Sequence, residues 1–326
     1  MKIQDFISHA LGIGATFGML VGCGASQGQV GPTGAPQTSA ITTGAREYPS
    51  WMTPEASGDL LYAVGSQNVV YVFTYPRGKP VGALTGLDNP SGLCSDKDGN
   101  VWIVNSGSGE IVEYAHGGKK PIGTLRDPNF SPGWCSVDPT SGDLATVGSD
   151  QSGAAIAVYV GAQGSPLVYS VPFETASYCG YDNRGNLVVD GYFHNSVTTG
   201  FGELRKGATK FKKLEIHHHF ATPGGVQWDG KYITLGGSYA DAPDIYRFDV
   251  RGDRAVEVSH HRLNDIHFLN AFWIQGSRVV ATDLFGQGPY PTLLFYAYPA
   301  GGNPIKTIED SAAGYPSSLT VSSALK

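Results

Sequence analysis

The 326-residue chain has little charge, little sulfur and no long apolar run. Only 15% of its residues are charged, and 22 basic against 28 acidic residues leave a net charge of −6. A nucleic-acid partner needs a basic patch to displace counterions from phosphates, and this balance argues against one. The local basic run Arg205–Lys213 reads as a solvated hairpin edge that discourages strand pairing. The apolar stretch Ala10–Gly22 is 13 residues, too short to cross a bilayer as a helix. Helical periodicity is missing after residue 25. Four cysteines without a C-x-x-C pair give no thiolate metal motif. No Ser-His-Asp set, phosphate loop or paired-carboxylate motif stands out. The formal G-x-S-x-G at 24–28 lacks the strand–turn–helix context that a hydrolase nucleophile requires.

What is abundant is glycine, 45 residues, with 20 prolines, as expected of a chain with many tight turns. The organising stretch is Asn89–Leu125. It reads as four short strands, Ser91–Asp96, Val101–Val104, Ile111–Tyr114 and Pro121–Leu125. The turns between them are DKDGN at 96–100, NSGSG at 105–109 and HGGKK at 116–120. The glycine of the third turn recurs as Gly78, Gly118, Gly164, Gly207, Gly252 and Gly302. The inner strand recurs in GLCSDKDGNVWIV (92–104), GWCSVDPTSGDLATV (133–147), SYCGYDNRGNLVV (177–189) and GGVQWDGKYITL (224–235). FWIQGSRVVAT (272–282) is a copy with a shorter turn. Four-stranded units at this period predict an all-β, six-bladed β-propeller. The C-terminal GYPSSLTVSS (314–323) looks like an inner strand that closes the ring on blade 1. SWMTPEASGDLLYA (50–63) resembles 133–146, so the N-terminal piece is the other candidate for that strand.

Residues 1–23 read as a targeting segment. Leu20-Val21-Gly22-Cys23 resembles a bacterial lipoprotein signal, which implies cleavage before Cys23 and its lipidation. Residues 24–50 read as a flexible linker, and 51–326 as the propeller. Cys94, Cys135 and Cys179 hold the same place in successive inner strands. Inner strands that diverge around a channel would strain a bridge between them. Each is therefore expected to be packed near the axis as a small apolar residue, with a thiolate metal site the alternative.

The DKDGN turn, the apolar second strand and the NSGSG turn carry a resemblance to NHL-repeat and SMP-30-like six-bladed propellers over about residues 55–323. GYDNRGNL (180–187), GGVQWDGKY (224–232) and EYAHGGKKPI (113–122) resemble a group of bacterial lipoprotein propellers, a likeness that brings no activity with it. The enzymatic SMP-30 members are implied to be lactonases or esterases that hold a divalent ion with a Glu, two Asn and an Asp. The candidates here are Glu55, Asn89, Asn105 and Asp283, but the Glu-x-Pro-x-Trp pattern is absent at Glu55. A second candidate set for zinc or copper is His194, His218, His261 and His267. Consecutive histidines at 217–219 point to opposite sides of a strand, so few can converge. Asp96-x-Asp98 hints at calcium, but position twelve of such a loop is Gly107, not Glu.

The sequence thus points first to a non-enzymatic binding or scaffold propeller without cofactor. It would be a monomer held by lipid in a bacterial envelope, periplasmic or on the surface, facing a protein or an envelope glycan. The candidate binding face is Asn105, Asn129, Phe130, Tyr192, His194, Tyr239, Asp241, Asp283, Phe285, Gln287 and Tyr290. The rival is a metal-dependent lactonase or esterase using calcium or zinc.

Overall fold

The computed structural model describes residues 49–193, 199–217, 222–239, 242–283, 292–309 and 316–325. The chain divides into units Met1–Ala45 and Arg46–Lys326, and everything described belongs to the second. That unit is all-β, a propeller-like arrangement of small antiparallel sheets.

The first sheet holds β1 (Trp51–Met52), β2 (Leu60–Val64), β3 (Val70–Thr74), β4 (Pro80–Leu84) and β25 (Ser318–Ser322), in the order β1-β4-β3-β2-β25. The second is β5 (Pro90–Ser95), β6 (Val101–Asn105), β7 (Glu110–Tyr114) and β8 (Pro121–Arg126). The third is β9 (Ser131–Val137), β10 (Leu144–Asp150), β11 (Gly153–Tyr159) and β12 (Leu167–Ser170). An eight-stranded sheet joins two antiparallel meanders. One is β13 (Thr175–Tyr181), β14 (Leu187–Tyr192), β15 (Thr199–Leu204) and β16 (Lys212–Ile216). The other is β17 (Thr222–Trp228), β18 (Ile233–Tyr239), β19 (Ala242–Arg251) and β20 (Arg254–Arg262). They meet through a short parallel pairing of β16 with β20, Glu215 opposite Arg254 and Ile216 opposite Ala255. The last sheet is β21 (Leu269–Gln275), β22 (Arg278–Asp283), β23 (Thr292–Ala297) and β24 (Gly301–Glu309).

The turn after the first strand of a meander has a side-chain cause. Asp96 Oδ1 accepts from the Asp98 and Asn100 N–H groups at 2.9 and 2.8 Å, and Asn100 Nδ2 donates to Oδ2 at 2.9 Å. Asp182 repeats this with Arg184 and Asn186. The carboxylate of Asp96 therefore closes a turn, as expected. At the turn between β7 and β8 the positive φ falls on Gly117 (64°), one residue before the glycine that marks the repeat in sequence.

β5, β9, β13, β17, β21 and β25 pack side by side in that order, and β25 returns to β5, closing a ring. β25 supplies the innermost strand of the first sheet by pairing with β2 in full, Leu60 opposite Ser322 through Val64 opposite Ser318. The N-terminal strand β1 lies at the other edge of that sheet, Trp51 opposite Ala83. Of the two termini that sequence left open, the C-terminus provides the closure.

The expectation that no cysteines pair is corrected. Cys94 on β5 and Cys135 on β9 form a disulfide. Neighbouring inner strands approach closely enough to allow it, since the Cα atoms are 5.6 Å apart, within the usual range for a bridge. Cys179, on the next inner strand, is free and buried. Burial pushes its thiol well above the ordinary range, which makes it an inert packed residue.

Candidate functional site

The ring encloses two chambers, one at each end of the inner strands. The mouth chamber, about 410 Å³, is lined by residues at or just before the start of those strands, among them Asn89, Ser91, Ser177 and Asn270. The far chamber, about 300 Å³, is lined by their later residues, including Tyr181, Trp228 and Trp273. Trp134 lines both. Its indole packs edge-on against Tyr178, with centroids 4.8 Å apart and planes at 70°.

The mouth is built by β-bulges. β5 pairs Pro90 with Asn105 and Gly92 with Val104, which leaves Ser91 outside the ladder. Gly133 is left out in the same way on β9. On β13 the ladder steps from Ala176 to Cys179, so Ser177 and Tyr178 together oppose Asp190. On β21 it steps from Leu269 to Phe272, so Asn270 and Ala271 oppose Thr282. A bulge re-aims the side chains that it frees from the alternation. Here Ser91, Ser177, Tyr178 and Asn270 become chamber lining.

Side chains opposite two of the bulges hold them. Thr282 Oγ1 accepts from Ala271 N–H at 3.2 Å. Asp190 Oδ1 accepts from Tyr178 N–H at 2.8 Å, and its Oδ2 accepts from Gly224 N–H of the next meander at 3.2 Å. Asp190 is 0% exposed. Burial pushes its carboxyl well above the usual carboxylate range, against the pull of these backbone donors. The folded state thus favours the protonated acid. Its contribution to stability is complete below the ordinary value of 3.8 and is lost as pH rises toward the folded value. Urea unfolding of Asp190→Asn should therefore show a stability, relative to wild type, that climbs from pH 4 to pH 8. A difference that does not change with pH, or that falls, contradicts the assignment. Asp190→Ala leaves two N–H groups unpaired and should lose roughly 2–4 kcal/mol at pH 4, a deficit that shrinks toward pH 8 as the wild type loses its own contribution.

Polar groups tie neighbouring strands in both chambers, and in the mouth Ser91 Oγ donates to Gly133 O at 2.7 Å, but the mouth also holds polar side chains without such a role. In the far chamber Ser95 Oγ donates to Val321 O at 2.8 Å, and Ser136 Oγ accepts from Tyr181 N–H at 3.3 Å. Gln227 exchanges two hydrogen bonds with the Ile274 backbone, at 3.0 and 2.6 Å. In the mouth, Tyr178 Oη donates to Asn270 Oδ1 at 2.5 Å, and Asn270 Nδ2 donates to Ser317 O, a bar across the channel. Among the described residues no hydrogen bond engages the side chains of Asn89, Ser177, Ser317 or the Tyr192 hydroxyl, all of which line the mouth.

Among the described residues of the sequence-derived face, Tyr192 is thus the one that lines this chamber. Burial, and then the Asp190 charge, raise its phenol above the ordinary value. Three other candidates are buried and outside the lining of this chamber. Asn105 is buried, its Oδ1 accepting from Asp88 N–H at 2.6 Å and its Nδ2 donating to Ser108 Oγ at 2.8 Å, so it pins a turn. Asp283 is 2% exposed and accepts from the His267 and Phe268 N–H groups, both at 3.0 Å. Phe130 is buried in the core with Leu125 and Trp102. Each answers an obligatory need, either a backbone donor that requires a partner or an apolar ring that leaves water. Asn129 is exposed, its N–H donating to Asp127 Oδ1. Tyr239 ends β18. Cys23, His194, His218, Asp241, Phe285, Gln287 and Tyr290 lie outside the described residues.

The candidate metal ligands among the described residues do not converge. Glu55 is paired with Lys79 at 3.3 Å, just before β4, while Asn89 follows the far end of that five-residue strand. At about 3.3 Å per residue the strand alone separates them by more than 10 Å. The carboxylate of Asp283 and the amide of Asn105 are engaged as described, so this set does not fit a divalent ion. His267 Nδ1 meets Asp283 Oδ2 at 2.9 Å. His261 packs against Tyr298, with centroids 6.1 Å apart, and its Nε2 meets Ser259 Oγ at 3.2 Å. Burial, then Arg247, lowers the pKa of His261. No cluster of His, Cys, Asp and Glu among the described residues is arranged to hold a metal.

The residues that sequence reasoning missed are Ser91, Trp134, Ser177, Tyr178, Asn270 and Ser317. Alignment of the repeats contains a signal for them, because they stand at or just before the recurrent inner-strand positions.

No family model matches the sequence, and no curated protein matches it. Solved structures share the fold. A chain in a crystal structure of a nidogen/laminin complex matches with a TM-score of 0.64 and 14% identity, over 82% of this chain and 100% of that one. A Bacteroides caccae protein of unknown function matches with a TM-score of 0.59 and 13% identity, over 81% and 99%. Kuenenia stuttgartiensis hydrazine synthase matches with a TM-score of 0.56 and 15% identity, over 80% of each chain. At these identities the likeness shows a β-propeller fold and nothing of activity.

Proposed function

We propose that the chain is a six-bladed propeller that works as a non-enzymatic binding or scaffold module through its mouth chamber. The blade count follows from dividing the eight-stranded sheet at its parallel seam, so that each meander owns one strand of the closed ring. The observation that carries the function is the polar wall of the mouth chamber. Polar groups stitch strands together in both chambers, Ser91 Oγ to Gly133 O in the mouth included, but among the described residues the side chains of Asn89, Ser177 and Ser317 and the Tyr192 hydroxyl face the mouth without a hydrogen bond. A rigid wall with free hydroxyls and amides is what a ligand site needs.

The disulfide between Cys94 and Cys135 favours an oxidising compartment. That accords with the lipoprotein-type signal at Cys23 and with an extracytoplasmic, lipid-anchored, monomeric protein of NHL or SMP-30-like ancestry. The partner is a protein or an envelope glycan, in keeping with a fold neighbour seen in a nidogen/laminin complex. The alternative is a metal-dependent lactonase or esterase, which has less support because Glu55, Asn89, Asn105 and Asp283 do not form one ligand set. The test is to block the mouth with Ser177→Trp and compare retention of envelope proteins and glycans with that of the wild type.

A further inference from the structure

We infer that the mouth chamber takes the terminal unit of a neutral saccharide. This deepens the reading of the mouth as the ligand site and rests on it. Among the described residues the lining contains no Asp, Glu, Lys, Arg or His. It offers instead the rings of Trp134, Tyr178, Tyr192 and Phe268 with the amides and hydroxyls of Asn89, Ser177 and Ser317. A sugar ring presents the complement of that surface. Its C–H faces lie against aromatic rings, and each hydroxyl both donates and accepts, as do the hydroxyls and amides on the wall. The chamber volume, about 410 Å³, lies within the range of small-ligand sites.

The same features disfavour other occupants. A uronic or sialic acid would bring a carboxylate to a wall whose described residues offer no cation to receive it, and an unpaired charge is costly to desolvate. A peptide end would bring a free amine or carboxylate to the same neutral wall. An extended peptide cannot run through, because Trp134 and Tyr178 form the floor and the Tyr178–Asn270–Ser317 bar crosses it. A compact neutral chain end meets none of these obstacles.

The experiment is a titration of the full chain with glucose, galactose, mannose, N-acetylglucosamine and their disaccharides, read by tryptophan fluorescence and calorimetry. Glucuronic and galacturonic acids serve as charged counterparts. We expect saturable binding of at least one neutral sugar, with the matching acid at least tenfold weaker. Tyr192→Phe and Ser177→Ala each remove one hydroxyl and should weaken binding by about 3–10-fold. Their circular dichroism should match the wild type. Acids that bind as well as neutral sugars overturn the proposal. If no sugar saturates while Ser177→Trp still abolishes retention of an envelope protein, the saccharide is overturned and the mouth remains the binding site. Sugar binding that survives Ser177→Trp places the site elsewhere and overturns both.

Discussion

A chain ending at residue 315 does not fold cooperatively. That is the largest effect expected of any change considered, and its cause is the way β25 closes the ring. Ser318, Thr320 and Ser322 are 0% exposed, and Leu319 and Val321 are 1% and 2% exposed. The strand supplies a complete ladder to β2. Its side chains and backbone also join the next sheet, with Leu93 N–H donating to Ser318 Oγ at 3.0 Å and Ser95 Oγ donating to Val321 O at 2.8 Å. Beyond it, Ala324 N–H donates to Asp59 Oδ1 at 3.0 Å. Removing the strand opens β2 as a buried, unpaired edge and takes two packed apolar residues from the core. Burial of each is worth about 1.5–3 kcal/mol, against a typical total stability of about 5–15 kcal/mol. Leu319→Ala alone should cost about 2–5 kcal/mol. Thermal unfolding followed by circular dichroism separates the outcomes. A truncated chain with a sharp transition near the wild-type temperature would mean that the ring does not depend on its C-terminal strand.

The double change Cys94→Ala and Cys135→Ala lowers the melting temperature by on the order of 10 °C. The bridge spans a sequence separation of 41 residues. The chain-entropy account assigns a loop of that length about 4 kcal/mol, and a domain of this size shifts by roughly 2–4 °C per kcal/mol. Reducing agent should lower the wild type to the same temperature and leave the double variant unchanged. Equal melting of reduced and oxidised wild type would show that the bridge contributes nothing.

The disulfide also shows where sequence reasoning stopped. The three cysteines were legible as equivalent positions of successive inner strands. Whether two of them meet depends on the closeness of neighbouring strands, a distance of the closed ring that no single repeat encodes. The blade pattern was legible because its signals are local, namely Asp96 and Asp182 closing turns and the apolar runs of β6 and β7. The bulges were not. Period-two alternation places Ser177 and Tyr178 on opposite faces, and only the slip of register against Asp190 turns both to the mouth. Asn105 and Asp283 misled for the opposite reason. They are polar residues at strand ends, where a ligand group and a cap for backbone N–H donors look alike in sequence, and both are caps.

The claim that the mouth chamber is the binding site is tested most directly by one comparison. Full-length wild type and Ser177→Trp, matched in circular dichroism and melting, are immobilised side by side and exposed to the same envelope proteins and glycans. The account predicts a ligand that the wild type retains and the blocked chamber loses. A ligand retained equally by both would place recognition outside the mouth and contradict the account.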